Sequence, residues 1–182
     1  MSGAAIEALG GELGDLARRA ISVLVAGDVT IATAESLTGG LLCAALTSVP
    51  GASAVVRGGV VVYATDLKAD LAGVAPAILE RHGPVAAETA SALATGVRER
   101  LGADLGVATT GVAGPDSQGG RPPGTVYVAL ARAEEVRVRA FDAWTGPLPG
   151  DRDAVRAATV RAALEMIIDG SAGRESWPTS AR

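Results

Sequence analysis

Two patterns of apolar and polar positions alternate along the chain. β-branched runs such as Val29–Thr33 are typical of buried strands, whereas segments with an apolar residue at every third or fourth position are typical of helices. Their alternation predicts one α/β domain in which helices pack against a sheet. The predicted strands cover about 29–33, 55–63, 105–109, 125–130 and 136–141. The longer predicted helices cover about 12–26, 41–46, 86–101 and 151–168, and shorter ones begin at Asp66 and Ala75.

The connecting segments add detail to this arrangement. The loop from Asp116 to Gly124 is rich in Gly and Pro and contains Arg121, and long loops of this kind are usually lids or binding loops. The last two strands predict an antiparallel hairpin, and alternation in its second strand points Arg137 and Arg139 outward on an exposed edge. We expect residues 1–169 to form the domain and residues 170–182, which are small and polar, to form a flexible tail.

Composition excludes several classes of protein. The net charge is −4 and no basic run is present, so a nucleic-acid surface is not indicated. The only cysteine, Cys43, excludes an internal disulfide and a cysteine-based metal cage. The only histidine, His82, excludes a His-rich metal site and leaves a Ser-His-Asp triad poorly supported. Without a signal sequence or a run long enough to cross a membrane, the chain is expected to be soluble and cytoplasmic.

The segment 34–40, Ala-Glu-Ser-Leu-Thr-Gly-Gly, places a hydroxyl where a predicted strand turns into a helix. Its two glycines allow a ligand to approach the backbone. The first amides of the helix are predicted to be unpaired, as ready donors to an anion or an oxyanion. On this stretch alone an N-capping role for Ser36 is favoured, since Ser is a preferred N-cap. The rest of the sequence favours a functional role instead.

Lys68 is the single lysine in a chain with 15 arginines. A desolvated lysine can lose its proton and act as a base, whereas an arginine stays protonated. One retained amine therefore indicates a functional base, although a chance lysine on a helix surface is the alternative. Tyr63 lies five residues earlier, so both side chains can lie near one edge of the sheet. A half-buried anchor explains Tyr63 equally well.

Candidate chemistry lies at three predicted strand ends, which carry Ser36, Tyr63 with Lys68, and Thr110–Gly111. Ligands of open α/β sheets bind at the carboxyl ends of strands, and a lysine base can activate a serine without histidine. Arg152 and Arg156 are one helical turn apart and could together hold a phosphate or carboxylate, although solvation beside neighbouring aspartates explains them equally well. The pattern supports an acyl-transfer site without separating an amidase from an esterase or a peptidase.

The chain also carries five longer motifs in order. They are Thr33-Ala34-Glu35-Ser36 with Thr38-Gly39-Gly40, Gly58-x4-Tyr63-x4-Lys68, Thr110-Gly111-x-Ala113-Gly114-Pro115, Gly124-Thr125-Val126 and Gly150-Asp151-Arg152-x3-Arg156. Over about residues 12–168 the chain thereby resembles the CinA C-terminal domain family. The resemblance implies a single three-layer α/β/α domain with a mixed sheet. We expect a stand-alone form, without the N-terminal domain that many relatives carry.

The resemblance further implies an amidohydrolase that converts nicotinamide mononucleotide to nicotinic acid mononucleotide and ammonia, a step of pyridine nucleotide salvage. It implies Ser36 as the nucleophile, Lys68 as its base and Tyr63 as a helper. In such a mechanism we expect backbone amides around Thr38 and Gly39 to hold the oxyanion. The expected substrate-binding residues are Thr38, Gly39, Gly40, Thr110, Gly111, Arg152 and Arg156. The expected partner is a small nucleotide, with no cofactor, metal, nucleic acid or membrane, in a homo-oligomer that is a dimer or higher.

Two other functions stay open at this point. The first is a non-catalytic nucleotide-binding regulatory module linked to competence or DNA damage. The second is a general serine hydrolase. The presence of Ser36, Tyr63 and Lys68 together argues against the regulatory module.

Overall fold

The computed structural model of the protein describes residues 11–171. Residues 1–10 of the predicted domain, and the predicted tail from residue 172 onward, lie outside the described residues. The helices are α1 (Gly11–Ala26), α2 (Leu41–Thr47), α3 (Thr65–Asp70), α4 (Pro76–His82), α5 (Ala87–Arg100) and α6 (Arg152–Ser171). The strands are β1 (Ile31–Glu35), β2 (Val56–Val61), β3 (Leu105–Gly111), β4 (Val126–Ala131) and β5 (Val136–Phe141). A short 3-10 helix, Ala52–Ala54, precedes β2.

The last helix continues past its predicted end. It extends to Ser171 because Gly170 is buried and its carbonyl accepts a hydrogen bond from Arg132, so the end of the helix is held against the domain. The tail that we expect from residue 170 therefore begins, within the described residues, as helix.

The five strands form one mixed sheet in the order β2-β1-β3-β4-β5. β1 pairs in parallel with β2 and β3, whereas β4 is antiparallel to β3 and to β5. The predicted hairpin of the last two strands is confirmed. The mixed sheet and the α/β fold class are confirmed as well.

Helices cover both faces of the sheet, which gives the expected three layers. On one face α1, α2 and α6 bury a cluster dominated by Leu, Ile, Val and Ala. On the other face α5 buries a second cluster of mostly Ala and Val, against which residues of α3 and α4 also pack. Within residues 11–171 no helix has the length and apolar character needed to cross a membrane.

The carboxyl ends of the three parallel strands meet at one edge of this sheet. Glu35, the last residue of β1, is opposite Val61 of β2 and Thr109 of β3. The next amide, that of Ser36, donates to the carbonyl of Thr109 at 3.0 Å. The residues that follow these strands are therefore brought together, as the strand-end argument predicts.

The outward orientation expected for Arg137 and Arg139 holds only in part. Arg139 lies on the α6 side of β5, where its Nη1 donates to Glu165 Oε2 at 2.6 Å and its guanidinium stacks 5.3 Å from the centre of the Phe141 ring. The exposed apolar positions of this edge strand are instead Val136 and Val138. The ion pair with Glu165 holds Arg139 on that side of the strand.

We predict that Gly96→Ala destabilises the domain. An added Cβ at this position of α5 would lie 1.8 Å from the carbonyl oxygen of Ala72, so the helix has to move away from the segment after α3. The unfolding free energy should fall by about 1–3 kcal/mol in chemical denaturation, although alanine is the better helix former.

Ser91→Ala on the same helix is the matched control. Its hydroxyl only returns to the carbonyl of Ala87, so removing it should leave the stability nearly unchanged. An increase in stability on Gly96→Ala would contradict the close packing of this helix.

Candidate active site

A cavity of about 120 Å³ opens at the carboxyl edge of the parallel strands. Its lining comes from the turn after β1, the segment from the end of β2 into α3, residues 84–85, the end of β3 with the loop behind it, and the first residue of α6. Six of the predicted site residues lie in this lining: Ser36, Tyr63, Lys68, Thr110, Gly111 and Arg152. The other four, Thr38, Gly39, Gly40 and Arg156, lie behind it.

Ser36 and Lys68 are in direct contact. Lys68 Nζ lies 3.0 Å from Ser36 Oγ and donates to the carbonyl of Val62 at 2.6 Å. The lysine residue is 1% exposed, which excludes the alternative of a chance lysine on a helix surface. Burial lowers the pKa of the Lys68 amine to about 8, because the charged form loses its hydration. The amine can therefore be neutral near physiological pH and accept a proton from the serine.

The first amides of α2 are not unpaired, so the expectation that they are free donors is wrong. They donate to the side chain of Glu35. Its buried carboxyl group accepts from the backbone amides of Gly40 (3.1 Å), Leu42 (3.0 Å) and Cys43 (2.8 Å). The N-terminus of α2 is thereby satisfied from within the chain. It does not present donors to the cavity.

Ser36 is also not a helix cap. The N-cap of α2 is Gly40, at φ +93°, and it has no side-chain capping bond. Four residues thus separate Ser36 from the first residue of the helix, and the hydroxyl is left to contact Lys68. The capping role, which the isolated segment favours, is excluded by this geometry.

The amides expected to hold an oxyanion need revision for the same reason. The amide of Gly39 donates to the carbonyl of Ser36 at 3.1 Å and is not available. Within the described part of the chain, the amides of Leu37 and Thr38 make no hydrogen bond, and of these two residues Leu37 lines the cavity. The Leu37 amide is therefore the better candidate donor, since it follows the serine directly.

Thr38 and Arg156 support the turn from behind. The Thr38 hydroxyl is fully buried and lies 2.7 Å from the Thr109 hydroxyl. Arg156 donates to the Thr38 carbonyl at 3.0 Å, and its other terminal nitrogen lies 3.6 Å from Asp153. Arg156 and Arg152 therefore do not converge on one anion in this structure, which is contrary to the spacing argument.

Tyr63 and Arg152 form the rim of the cavity. Tyr63 follows β2 and is 60% exposed, so the half-buried anchor is also excluded. Arg152 Nη2 donates to the Tyr63 hydroxyl at 2.9 Å, and Nη1 donates to the carbonyl of Gly114 at 2.9 Å. Arg152 thus joins the β2 end of the rim to the loop after β3. The hydroxyl of Tyr63 contacts neither Ser36 nor Lys68 in this arrangement.

The long loop after β3 completes the rim, as its composition predicts. Thr110 and Gly111 at the end of β3 line the cavity, and the Thr110 hydroxyl donates to the carbonyl of Pro84 at 2.6 Å. Asp116 and Gln118 of the loop also line it, and the sequence argument did not single them out. The only available signal was their place in a Gly- and Pro-rich loop. Arg121, which the argument noted, is not part of the lining.

Cys43 and the acidic side chains of the described residues do not form a metal site. Residues 11–171 hold no group of three or more His, Cys, Asp or Glu side chains able to bind a metal ion. The Cys43 thiol lies against Gly59, and burial raises its pKa, which keeps the thiol protonated.

Comparison with known proteins gives a consistent match. The model of the CinA C-terminal domain matches residues 14–170. A CinA-like protein from Frankia casuarinae is 48% identical over 147 residues, which are 81% of this chain and 33% of that protein. The chain thus spans about a third of the length of the curated relatives it matches.

Solved structures match over nearly their full length. The competence/damage inducible protein CihA from Agrobacterium tumefaciens is 38% identical with a TM-score of 0.80, over 88% of this chain and 96% of that chain. A CinA superfamily protein from Klebsiella pneumoniae is 30% identical with a TM-score of 0.83, over 89% and 99% of the two chains.

We predict that Glu35→Gln destabilises the protein and disturbs the Ser36 turn. The amide group of Gln accepts on one atom only, so an NH2 would face an amide that the carboxyl group now satisfies. The unfolding free energy should fall by about 1–3 kcal/mol in chemical denaturation, the usual cost of a buried unpaired polar group.

Glu80→Gln on α4 is the matched control, because Glu80 is exposed and has no hydrogen-bonding partner among residues 11–171. Equal stability of the two variants would show that the three amide contacts of Glu35 contribute little.

Proposed function

The chain belongs to the CinA C-terminal domain family, and from that premise we propose that it is a serine amidohydrolase acting on nicotinamide mononucleotide. The products are nicotinic acid mononucleotide and ammonia. The observation that carries the proposal is the 3.0 Å contact between Ser36 Oγ and the buried amine of Lys68 at the cavity floor. A regulatory binding module has no need of a desolvated lysine, which is costly to bury.

The proposed reaction runs through an acyl-enzyme. Ser36 Oγ attacks the carboxamide carbon while neutral Lys68 takes the hydroxyl proton. The amide of Leu37 stabilises the oxyanion, a contribution of about 3–4 kcal/mol for one well-placed donor. Lys68 then returns the proton to the leaving nitrogen, and the C–N bond breaks to release ammonia. Water attacks the ester by the reverse route, with Lys68 again as the base, and frees Ser36 and the carboxylic acid.

The size and rim of the cavity support a ring-shaped amide with a charged extension. A volume of about 120 Å³ is near the roughly 150 Å³ that accommodates a benzene molecule in an engineered protein cavity. The cavity is therefore of the order of size of one aromatic ring, and a ribose phosphate would have to extend over the rim. Arg152 provides a guanidinium there, the group best suited to a phosphate. In this proposal Tyr63 helps by holding Arg152 at the rim.

The test is ammonia release from nicotinamide mononucleotide, compared between the wild type and Ser36→Ala. We expect release by the wild type and a loss of about 10³-fold or more in the variant, because the nucleophile is removed. Free nicotinamide, which lacks the ribose phosphate, should be a much poorer substrate. Binding of the nucleotide by both proteins without ammonia release would instead support the regulatory module. Hydrolysis of unrelated esters at similar rates would support a general serine hydrolase.

We also predict that activity rises with pH. Lys68 is a base only when neutral, and its pKa lies at about 8. Below that value kcat/KM should increase about tenfold per pH unit, and it should level off above it. The measurement is kcat/KM for ammonia release between pH 6 and 9.5.

Lys68→Arg is the matched control, because it keeps a positive charge but cannot lose its proton in this range. It should be nearly inactive at every pH. A wild-type kcat/KM that does not change with pH would contradict the assignment of Lys68 as the base. A Lys68→Arg variant that keeps most of the wild-type turnover would contradict it as well.

A further inference from the structure

Asp116 is a charged residue of the cavity to which the proposed reaction gives no role. It lies on the loop after β3, lines the cavity and is exposed. Within the described part of the chain its carboxylate makes no hydrogen bond and no ion pair. Its charge is therefore not neutralised by this chain and is available to a bound molecule.

The backbone on both sides of Asp116 is held in place. Two residues before it, the carbonyl of Gly114 accepts from Arg152 Nη1 at 2.9 Å. Two residues after it, Gln118 and Arg121 exchange two backbone hydrogen bonds of 3.1 and 2.9 Å, which close a tight turn. The backbone that carries Asp116 is thus held at the rim by contacts that do not involve its carboxylate.

The charges around the cavity are unevenly distributed. Lys68 lies at the floor, Arg152 lies at the rim, and Asp116 is the only acidic residue among the lining residues. Arg152 is suited to an anionic group of a ligand, whereas Asp116 is suited to a cationic one. The proposed substrate carries both, since its phosphate is negative and its N-alkylated pyridine ring is positive.

We infer that Asp116 recognises the positive charge of the pyridinium ring, so that the site selects N-alkylated nicotinamide cations over neutral nicotinamides. This inference rests on the proposed function and names the substrate class for that site. Asp116 acts on binding rather than on the chemical step, because the ring charge is present in the free substrate. Its removal should therefore raise KM for the cation and leave kcat nearly unchanged.

The test is calorimetric binding of two nucleotides that differ in ring charge. Nicotinamide mononucleotide is the cationic ligand, and its 1,4-dihydro form is the neutral ligand with the same ribose phosphate. Both are titrated into Ser36→Ala, which prevents turnover, with and without Asp116→Asn. We expect Asp116→Asn to weaken binding of the cationic nucleotide by about fivefold, as for a partly exposed ion pair. Binding of the neutral nucleotide should weaken by less than about twofold.

Asp66→Asn is the matched control, because it removes the same charge from α3 at a position outside the cavity lining. It should leave both affinities unchanged. Asp116→Glu should retain the preference for the cation, which also guards against a variant that merely disturbs the loop. The inference is supported if Asp116→Asn weakens binding of the cationic nucleotide only and Asp116→Glu keeps the preference for it.

Three results would overturn it. The first is an equal loss of affinity for both nucleotides on Asp116→Asn, and the second is no loss of affinity for either. The third is no binding of either nucleotide to the Ser36→Ala parent. The proposed function is decided separately by ammonia release from the protein with Ser36 intact. Ammonia release by the protein, without preferential binding of the cationic nucleotide, would therefore overturn the role of Asp116 and leave the proposed function standing.

Discussion

The desolvated amine of Lys68 is the constraint on which the site depends. Lowering its pKa from 10.5 to about 8 corresponds to about 3 kcal/mol of lost stability wherever the amine is charged in both states. This cost is fully present below about pH 8 and disappears as the pH rises past the ordinary lysine pKa. Among residues 11–171, only the Val62 carbonyl and the Ser36 hydroxyl form hydrogen bonds with the amine, so the surrounding fold has to offset the cost. The two buried apolar clusters, one on each face of the sheet, supply that stability.

Glu35 allows Ser36 to contact the buried amine of Lys68. Its carboxyl group satisfies three amides at the start of α2, so that the helix needs no cap from the serine. The serine hydroxyl can then contact the lysine instead of a backbone amide. Arg156 holds the carbonyl of Thr38 in the same turn, which ties α6 to the segment that carries the nucleophile. A residue from each of two neighbouring layers thus fixes one hydroxyl.

Much of this arrangement could be predicted from the sequence. Hydrophobic periodicity indicates the strands and helices, and the strand-end rule brings Ser36, Lys68 and Thr110 to one edge. The single lysine is indeed buried and in contact with Ser36, whereas its role as a base stays a prediction. The role of Glu35 could not be predicted, because it depends on which way a side chain turns at the end of a strand. The contact of Arg156 with Thr38 joins residues 118 positions apart, and spacing along one helix says nothing about such a partner.

The distribution of charge in the cavity follows from the same physics. Charged groups are inexpensive at the rim, where water screens them, and Arg152 and Asp116 lie there. The floor carries an amine that works only when neutral. A cationic ring bound between them would lower the pKa of Lys68 further, since a nearby like charge disfavours the protonated amine. In the proposed reaction the substrate would therefore favour the neutral form of Lys68, which accepts the proton of Ser36, whereas a neutral amide would leave more of the lysine protonated at pH 7. The ring charge that Asp116 attracts would thus also shift Lys68 towards its neutral form, whereas a protonated Lys68 would oppose binding of the cation.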